Sequence, residues 1–113
     1  MRYILFTILI TICFSCQKEN EPTSVYIRSV VATPTQSERV TLKNNSGEDV
    51  NLNGWIIGDK NNPNAYSIPN GNTIPQGGSL DFYASTMGFQ INDSGETIYL
   101  KNSSGGTVDT WSN

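Results

Sequence analysis

Carboxylates, hydroxyls and a few lysines are what this chain has for chemistry, because it contains no histidine and its two cysteines, Cys13 and Cys16, both fall within the first 16 residues. Everything after Cys16 therefore lacks the commonest general base, the commonest metal ligand and the thiol nucleophile, which excludes zinc sites and Ser-His or Cys-His catalysis. A paired-carboxylate hydrolase could draw on Asp59, Asp81, Asp93, Glu96 or Asp109, but nothing in their spacing sets two of them across a cleft. The composition points to a protein that is not an enzyme and needs no cofactor. Calcium is the ion that the remaining oxygens suit best. Asn92-Asp93-Ser94-Gly95-Glu96 gathers hard oxygen ligands around a glycine turn, and Asp59 with Asn61, Asn62 and Asn64 forms a second set. Neither follows the EF-hand loop, and ordinary turns use the same residue types. Asp59, Asp93 and Glu96 are thus the calcium candidates, and the expectation is no metal.

Binding has better candidates in the aromatic residues. Tyr26, Tyr83 and Tyr99 each stand between two apolar residues, so a strand that turns Val25 and Ile27, Phe82 and Ala84, or Ile98 and Leu100 inward turns the tyrosine outward. An exposed aromatic patch of this kind can stack on sugar rings or dock a protein. Cross-strand packing on an outer face, or a hydroxyl bonded locally, would explain the same tyrosines. Trp55 and Trp111 are expected in the core. Nucleic acid is not an expected partner: the net charge is −3 and no basic cluster occurs anywhere, so the usual attraction to phosphate is missing.

The amino terminus reads as an address. Arg2 supplies a charged start, Tyr3 to Phe14 is a nearly unbroken apolar run of 12 residues, and Ser15-Cys16 sets a small residue before a cysteine. The run is shorter than the roughly 20 apolar residues that a spanning helix needs. Its ending resembles the cleavage site of a bacterial lipoprotein, in which the cysteine becomes the acylated first residue, with Cys13 standing where such signals carry an aliphatic side chain. An ordinary secretory signal is the alternative. A redox or metal reading of Cys13-Phe14-Ser15-Cys16 has no partner ligands elsewhere in the chain. Residues 1–15 are therefore read as a signal peptide and 16–24 as an acylated tether that is polar and has almost nothing to bury. Each acyl methylene buried in a bilayer contributes about 0.8 kcal/mol, so two or three chains would anchor the protein without spanning. Lys18-Glu19-Asn20-Glu21 is similar to the acidic signals that send some Gram-negative lipoproteins to the cell surface, although a solvated linker accounts for the same charges. The expected location is the outer membrane, on its periplasmic or its cell-surface side. Loss of residues 1–15 leaves 6 Lys and Arg against 10 Asp and Glu, a net charge of −4.

The body, 25–113, is about 90 residues, enough for one small β-sandwich. No stretch holds a helical apolar period for three turns, whereas Gly, Pro, Asn and Ser interrupt it at the spacing of short strands, so no helix is expected. Val40 with Leu42, Leu80 with Phe82, and Ile98 with Leu100 alternate with polar residues and should point inward. Val50 to Asp59 reads as strand, turn, strand, with Asn53-Gly54 supplying a type I′ turn between Val50–Leu52 and Trp55–Ile57. An internal echo aligns Glu38 to Val50 with Glu96 to Val108 at a shift of 58 residues, Glu, Leu, Lys, Asn, Ser, Gly and Val coinciding. It reads as two similar hairpins, each turning on Asn-x-Ser-Gly.

The order and spacing of these pieces resemble the lamin tail domain family, small immunoglobulin-like sandwiches found in nuclear lamins and in bacterial exported proteins. Those pieces are Val25 to Val31, Glu38 to Lys43, Leu52-Asn53-Gly54-Trp55 with Asp59, Tyr66-Ser67-Ile68-Pro69, Ile74-Pro75-Gln76-Gly77-Gly78, Thr97 to Lys101, and Val108-Asp109. The resemblance implies an all-β, immunoglobulin-like sandwich of short antiparallel strands. It does not carry DNA or chromatin binding over, given the charge. The function expected is a lipid-anchored, non-catalytic binding module for an extracellular or periplasmic protein or glycan. The alternatives are a structural subunit of an envelope assembly joined through a sheet edge and, more remotely, a carboxylate-dependent hydrolase.

The anchor is tested by mass. Membrane-extracted protein should begin at Cys16 and carry added acyl mass, and Cys16→Ala should abolish both; an unacylated, soluble wild type overturns the anchor.

Overall fold

Alternation of apolar and polar side chains, one face in and one face out, builds the strands of this protein. The computed structural model describes residues 24–113; the signal, Cys16 and the tether through Thr23 lie outside the described residues. β1 (Val25–Val31), β2 (Arg39–Asn44) and β7 (Ser79–Tyr83) form a three-stranded antiparallel sheet in the order β1-β2-β7. β4 (Ile56–Asp59), β5 (Tyr66–Ser67), β8 (Thr97–Lys101) and β9 (Thr107–Ser112) form a four-stranded sheet in the order β5-β4-β8-β9. β3 (Val50–Asn51) and β6 (Thr73–Ile74) make a two-stranded ribbon.

The inward residues of the two larger sheets share one core. Val25, Ile27, Val40, Leu42 and Phe82 come from the first, Ile57, Ile98 and Leu100 from the second, and Leu52, Ile68 and Ile74 close the margin. Val40, Leu42, Ile98 and Leu100 are completely buried, as their alternation requires. Two antiparallel sheets packed on a common core are the immunoglobulin-like sandwich that was expected. Trp55 and Trp111 are only partly buried and pack against the core from its edge.

β1 carries a bulge that alternation alone does not show. Ile27 pairs with Leu42 and Ser29 with Thr41, so Arg28 is an extra residue without a partner across the ladder. The insertion changes the strand's phase. Val25 and Ile27 face the core before it, and Val30 packs on the core after it, whereas an unbroken strand would have turned Ser29 inward. The Ile27 N–H, on the side of β1 away from β2, donates to Asp109 Oδ2 on β9 at 2.8 Å, tying the two sheets together.

Three local expectations are corrected. Val50 to Asp59 is not a hairpin: Val50-Asn51 pairs with Thr73-Ile74, and Ile56–Asp59 pairs with β5 and β8. Asn53 does not take a positive φ. Only Gly54 does, at 78°, and Trp55 N–H donates to Leu52 O at 2.9 Å, the pattern of a type II turn. Gly54 N–H donates to Ile68 O and Ile68 N–H to Trp55 O, so the segment after the turn is claimed by residues 66–68 and crosses to the other layer.

The echo likewise gives one hairpin and not two. β8 and β9 do pair, but β2 is already flanked by β1 and β7, so Val50 has no free edge of β2 to return to and pairs with Ile74. Finally, Ala84–Met87 forms a single helical turn, α1, closed by Gly88 at φ 83°, and Thr35–Ser37 forms a 3-10 turn. Both are too short for a helical period to register in the sequence.

Gly58 shows how tightly one loop covers the four-stranded sheet. A β-carbon there would lie 2.1 Å from the Pro63 carbonyl oxygen, whereas one on Gly47 would meet nothing within 4 Å. Gly58→Ala should therefore lower stability by about 3 kcal/mol or more. Gly47→Ala should stay within about 0.5 kcal/mol of wild type in urea unfolding. A wild-type midpoint for Gly58→Ala would contradict the packing of residues 60–65.

Candidate functional site

One end of the sandwich is built by the segments 32–38, between β1 and β2, and 84–96, between β7 and β8. Glu38 lies on the same strand parity as Val40 and Leu42, and Glu96 on that of Ile98 and Leu100, so both glutamates are carried inward by the strands they precede. They are 5% and 1% exposed. A carboxylate so placed must be met by donors. Glu38 Oε1 accepts the Ile91 N–H at 2.7 Å, and Glu96 Oε2 accepts the Asn92 N–H at 3.0 Å. Two glutamates 58 residues apart in sequence thus hold consecutive amides of one loop. Glu96 Oε1 also accepts the Thr97 N–H, and the Glu96 N–H donates to Asn113 Oδ1. With its amide held by Glu38, Ile91 inserts into the core.

The fixed loop and segment 32–38 enclose a depression of about 750 Å³ whose walls include Thr33, Thr35, Gln36, Gln90, Asn92, Asp93 and Ser94. A second, more apolar depression of about 400 Å³ shares Thr35, Gln36, Glu38 and Gln90 with it and adds Ala84, Gly88 and Phe89. Together they make one cleft, polar on one side and apolar on the other. Glu38 borders both halves. Among the described residues its Oε2 has no hydrogen-bond partner, and that atom is not fully enclosed, so it is left open as an acceptor. Among the described residues no lysine or arginine lines either half.

The sequence-derived candidates fall elsewhere. Tyr26 and Tyr83 lie at opposite ends of the three-stranded sheet, opposite Lys43 and Arg39 of β2, and Tyr99 lies in the four-stranded sheet opposite Gly58. They do not form one patch, because the strands that carry them belong to two sheets whose outer faces point apart. Tyr83, the most exposed, lies beneath the Arg39 guanidinium, 5.9 Å from its ring centre. Asp59 and Asp93 are not joined with Glu96 into an ion site. Asp59 Oδ1 accepts the Asn61 and Asn62 amides, Glu96 is held as described, and the Lys60 ammonium lies 3.7 Å from where a β-carbon on Gly95 would be. Among the described residues no three Asp or Glu side chains gather as metal ligands. Asp81 takes the Thr41 hydroxyl on the outer face, and Asp109 binds Ile27. Asp93 alone of the five carboxylates first considered borders the cleft.

Glu38, Gln36, Gln90 and Phe89 were not singled out in the sequence. Glu38 had a readable signal, since the echo aligns it with Glu96 and parity turns both inward. The others had none, because their proximity depends on two segments about 50 residues apart.

The two glutamates should respond differently to loss of charge. Glu96→Gln sets an NH₂ group against one of two backbone donors, which should cost about 1–3 kcal/mol and release the Asn92 amide to hydrogen exchange. Glu38→Gln can keep its oxygen on Ile91 and turn the NH₂ into the cleft, so its cost should stay below about 1 kcal/mol. Equal costs would contradict the open Oε2.

A family model described as Lamin Tail Domain matches residues 18–113. No curated protein matches the chain. The match takes in every strand of the sandwich and the cleft at its end, and the chain belongs to the lamin tail domain family.

Proposed function

We propose that this lamin tail domain is a non-catalytic binding module, held on the outer membrane by a lipid on Cys16, that presents its end cleft to an extracellular or periplasmic protein or glycan. The observation that carries this reading is the cleft itself, a depression of ordinary ligand-binding size lined by polar side chains and bordered by Glu38, whose second carboxylate oxygen is unpartnered among the described residues. The buried carboxylates beside it, Glu38 and Glu96, are occupied with backbone amides, an arrangement that supports a fixed shape for binding.

The direction of β1 supports the same reading. Its first residues lie by the β2–β3 turn, where the Asn45 N–H donates to Ser24 O, and its last residue pairs with Arg39 beside the cleft. A chain tethered at Cys16 would thus be joined to the sandwich at the end away from the cleft, an arrangement that leaves the cleft accessible. Nucleic acid is not the partner proposed, since the cleft has acidic and neutral walls and the chain is acidic overall.

Photocrosslinking on intact cells tests this. Gln36→p-benzoylphenylalanine, at the cleft, should yield a crosslinked species that Thr41→p-benzoylphenylalanine, on the outer face of the three-stranded sheet, does not. Adducts from Thr41 alone, or none from Gln36, would reject the cleft as the binding site.

A further inference from the structure

We propose that the ligand of the end cleft is a neutral oligosaccharide, an inference that rests on the binding-module reading and narrows it. A sugar hydroxyl both donates and accepts, so a site that takes several of them needs side chains that do the same. Gln36, Gln90 and Asn92 border the polar half of the cleft as exposed residues, and among the described residues none of their side-chain amide groups has a hydrogen-bond partner. On the same walls Glu38 Oε2 is an acceptor held in place, because the other oxygen of the same carboxylate is fixed on the Ile91 amide at 2.7 Å. Hydrogen bonds from a hydroxyl to a carboxylate are stronger than those between neutral groups, and an acceptor that is already oriented loses little freedom on binding.

The apolar half completes the match. Phe89, Ala84 and Gly88 border it, and a pyranose has an apolar C–H face that packs on such a surface while its hydroxyls point toward the amides. Charge sets the kind of sugar. With Glu38 and Asp93 in the walls and no lysine or arginine, sulfated, phosphorylated or uronic-acid chains would meet like charge without a counter-ion.

An extended peptide is the competing occupant, and the backbone argues against it. Peptides in extended form bind by adding to a row of unpaired backbone N–H and C=O groups. Here the Ile91 and Asn92 amides, which would begin such a row, are already taken by Glu38 and Glu96.

The test is an NMR titration of the ¹⁵N-labelled full chain in detergent micelles. The probes are chitotetraose, cellotetraose, mannotetraose and xylotetraose at millimolar concentration, with N-acetyl tetraalanine amide as the peptide control. At least one tetrasaccharide should shift the amides of Gln36, Phe89 and Gln90 and saturate. Gln90→Ala should weaken it about threefold or more. Glu38→Gln should weaken it by a similar factor while the signals of Val40, Leu42 and Leu100 stay in place, which separates a lost acceptor from a lost fold. Cleft shifts from the peptide alone, shifts confined to the tyrosine faces, or no shift from any tetrasaccharide would each overturn the saccharide assignment. If that happens while Gln36→p-benzoylphenylalanine still crosslinks on cells, the cleft binds a different ligand; if the crosslink is also absent, the binding-module reading fails with it.

Discussion

Among the described residues no strand is longer than seven residues, so many peptide N–H groups leave the ladder close to the core, and each must find an acceptor there. That requirement governs which side chains occupy the turns. Asn44, fully buried at the end of β2, accepts the Ser46 N–H on its oxygen and donates from its nitrogen to the carbonyls of Glu48 and Ile74, stitching the β3-β6 ribbon to the three-stranded sheet. Asn102 does the same work locally after β8, accepting from Ser104 and Gly106. Asp59 closes the turn after β4, Glu38 and Glu96 hold the loop before β8, and Asp109 meets the Ile27 amide on the open edge of β1. The polar residues inside this small protein are the means by which short strands end without leaving buried groups unpaired.

That economy explains what was legible in the sequence. The layers and the parity of the core could be read because alternation is local: Val40 with Leu42 and Ile98 with Leu100 declare their faces by themselves. Turn chemistry was legible for the same reason, and the Asn-x-Ser-Gly echo does form matching turns around Asn44 and Asn102. Which strand a turn leads to was not legible. The same echo makes a hairpin at β8-β9 and none after β2, because β2 has both edges occupied by strands that come from far away in the chain. The hairpin expected at Asn53-Gly54 failed on the same ground, since hydrogen bonds with Ile68 outweigh a return to Val50–Leu52. The cleft was hidden more deeply. Its two walls meet only after both sheets have formed, and the tyrosines, which alternation turned outward, were scattered by a topology that no local pattern encodes.

Membership of the lamin tail domain family fixes the architecture and leaves the activity open, as a sandwich of this kind is a scaffold on which loops carry the chemistry. In this chain the informative loops are those at the end of the sandwich that β1 runs toward. Their walls of amide and hydroxyl groups, their acidic charge and the adjoining apolar surface all differ from what a phosphate-binding protein would present there. A loop held by two buried carboxylates acting on backbone is fixed in shape before any ligand arrives.

The bulge at Arg28 has a consequence for pairing between chains. β1 lies at the edge of its sheet, and an edge strand invites pairing with another chain. The extra residue twists that edge out of regular spacing, and Asp109 occupies the Ile27 N–H that an incoming strand would need first. A neighbouring copy approaching this side would find its ladder interrupted at the third residue. One inserted arginine and one aspartate across the sandwich thus leave β1 a poor template for edge-to-edge pairing.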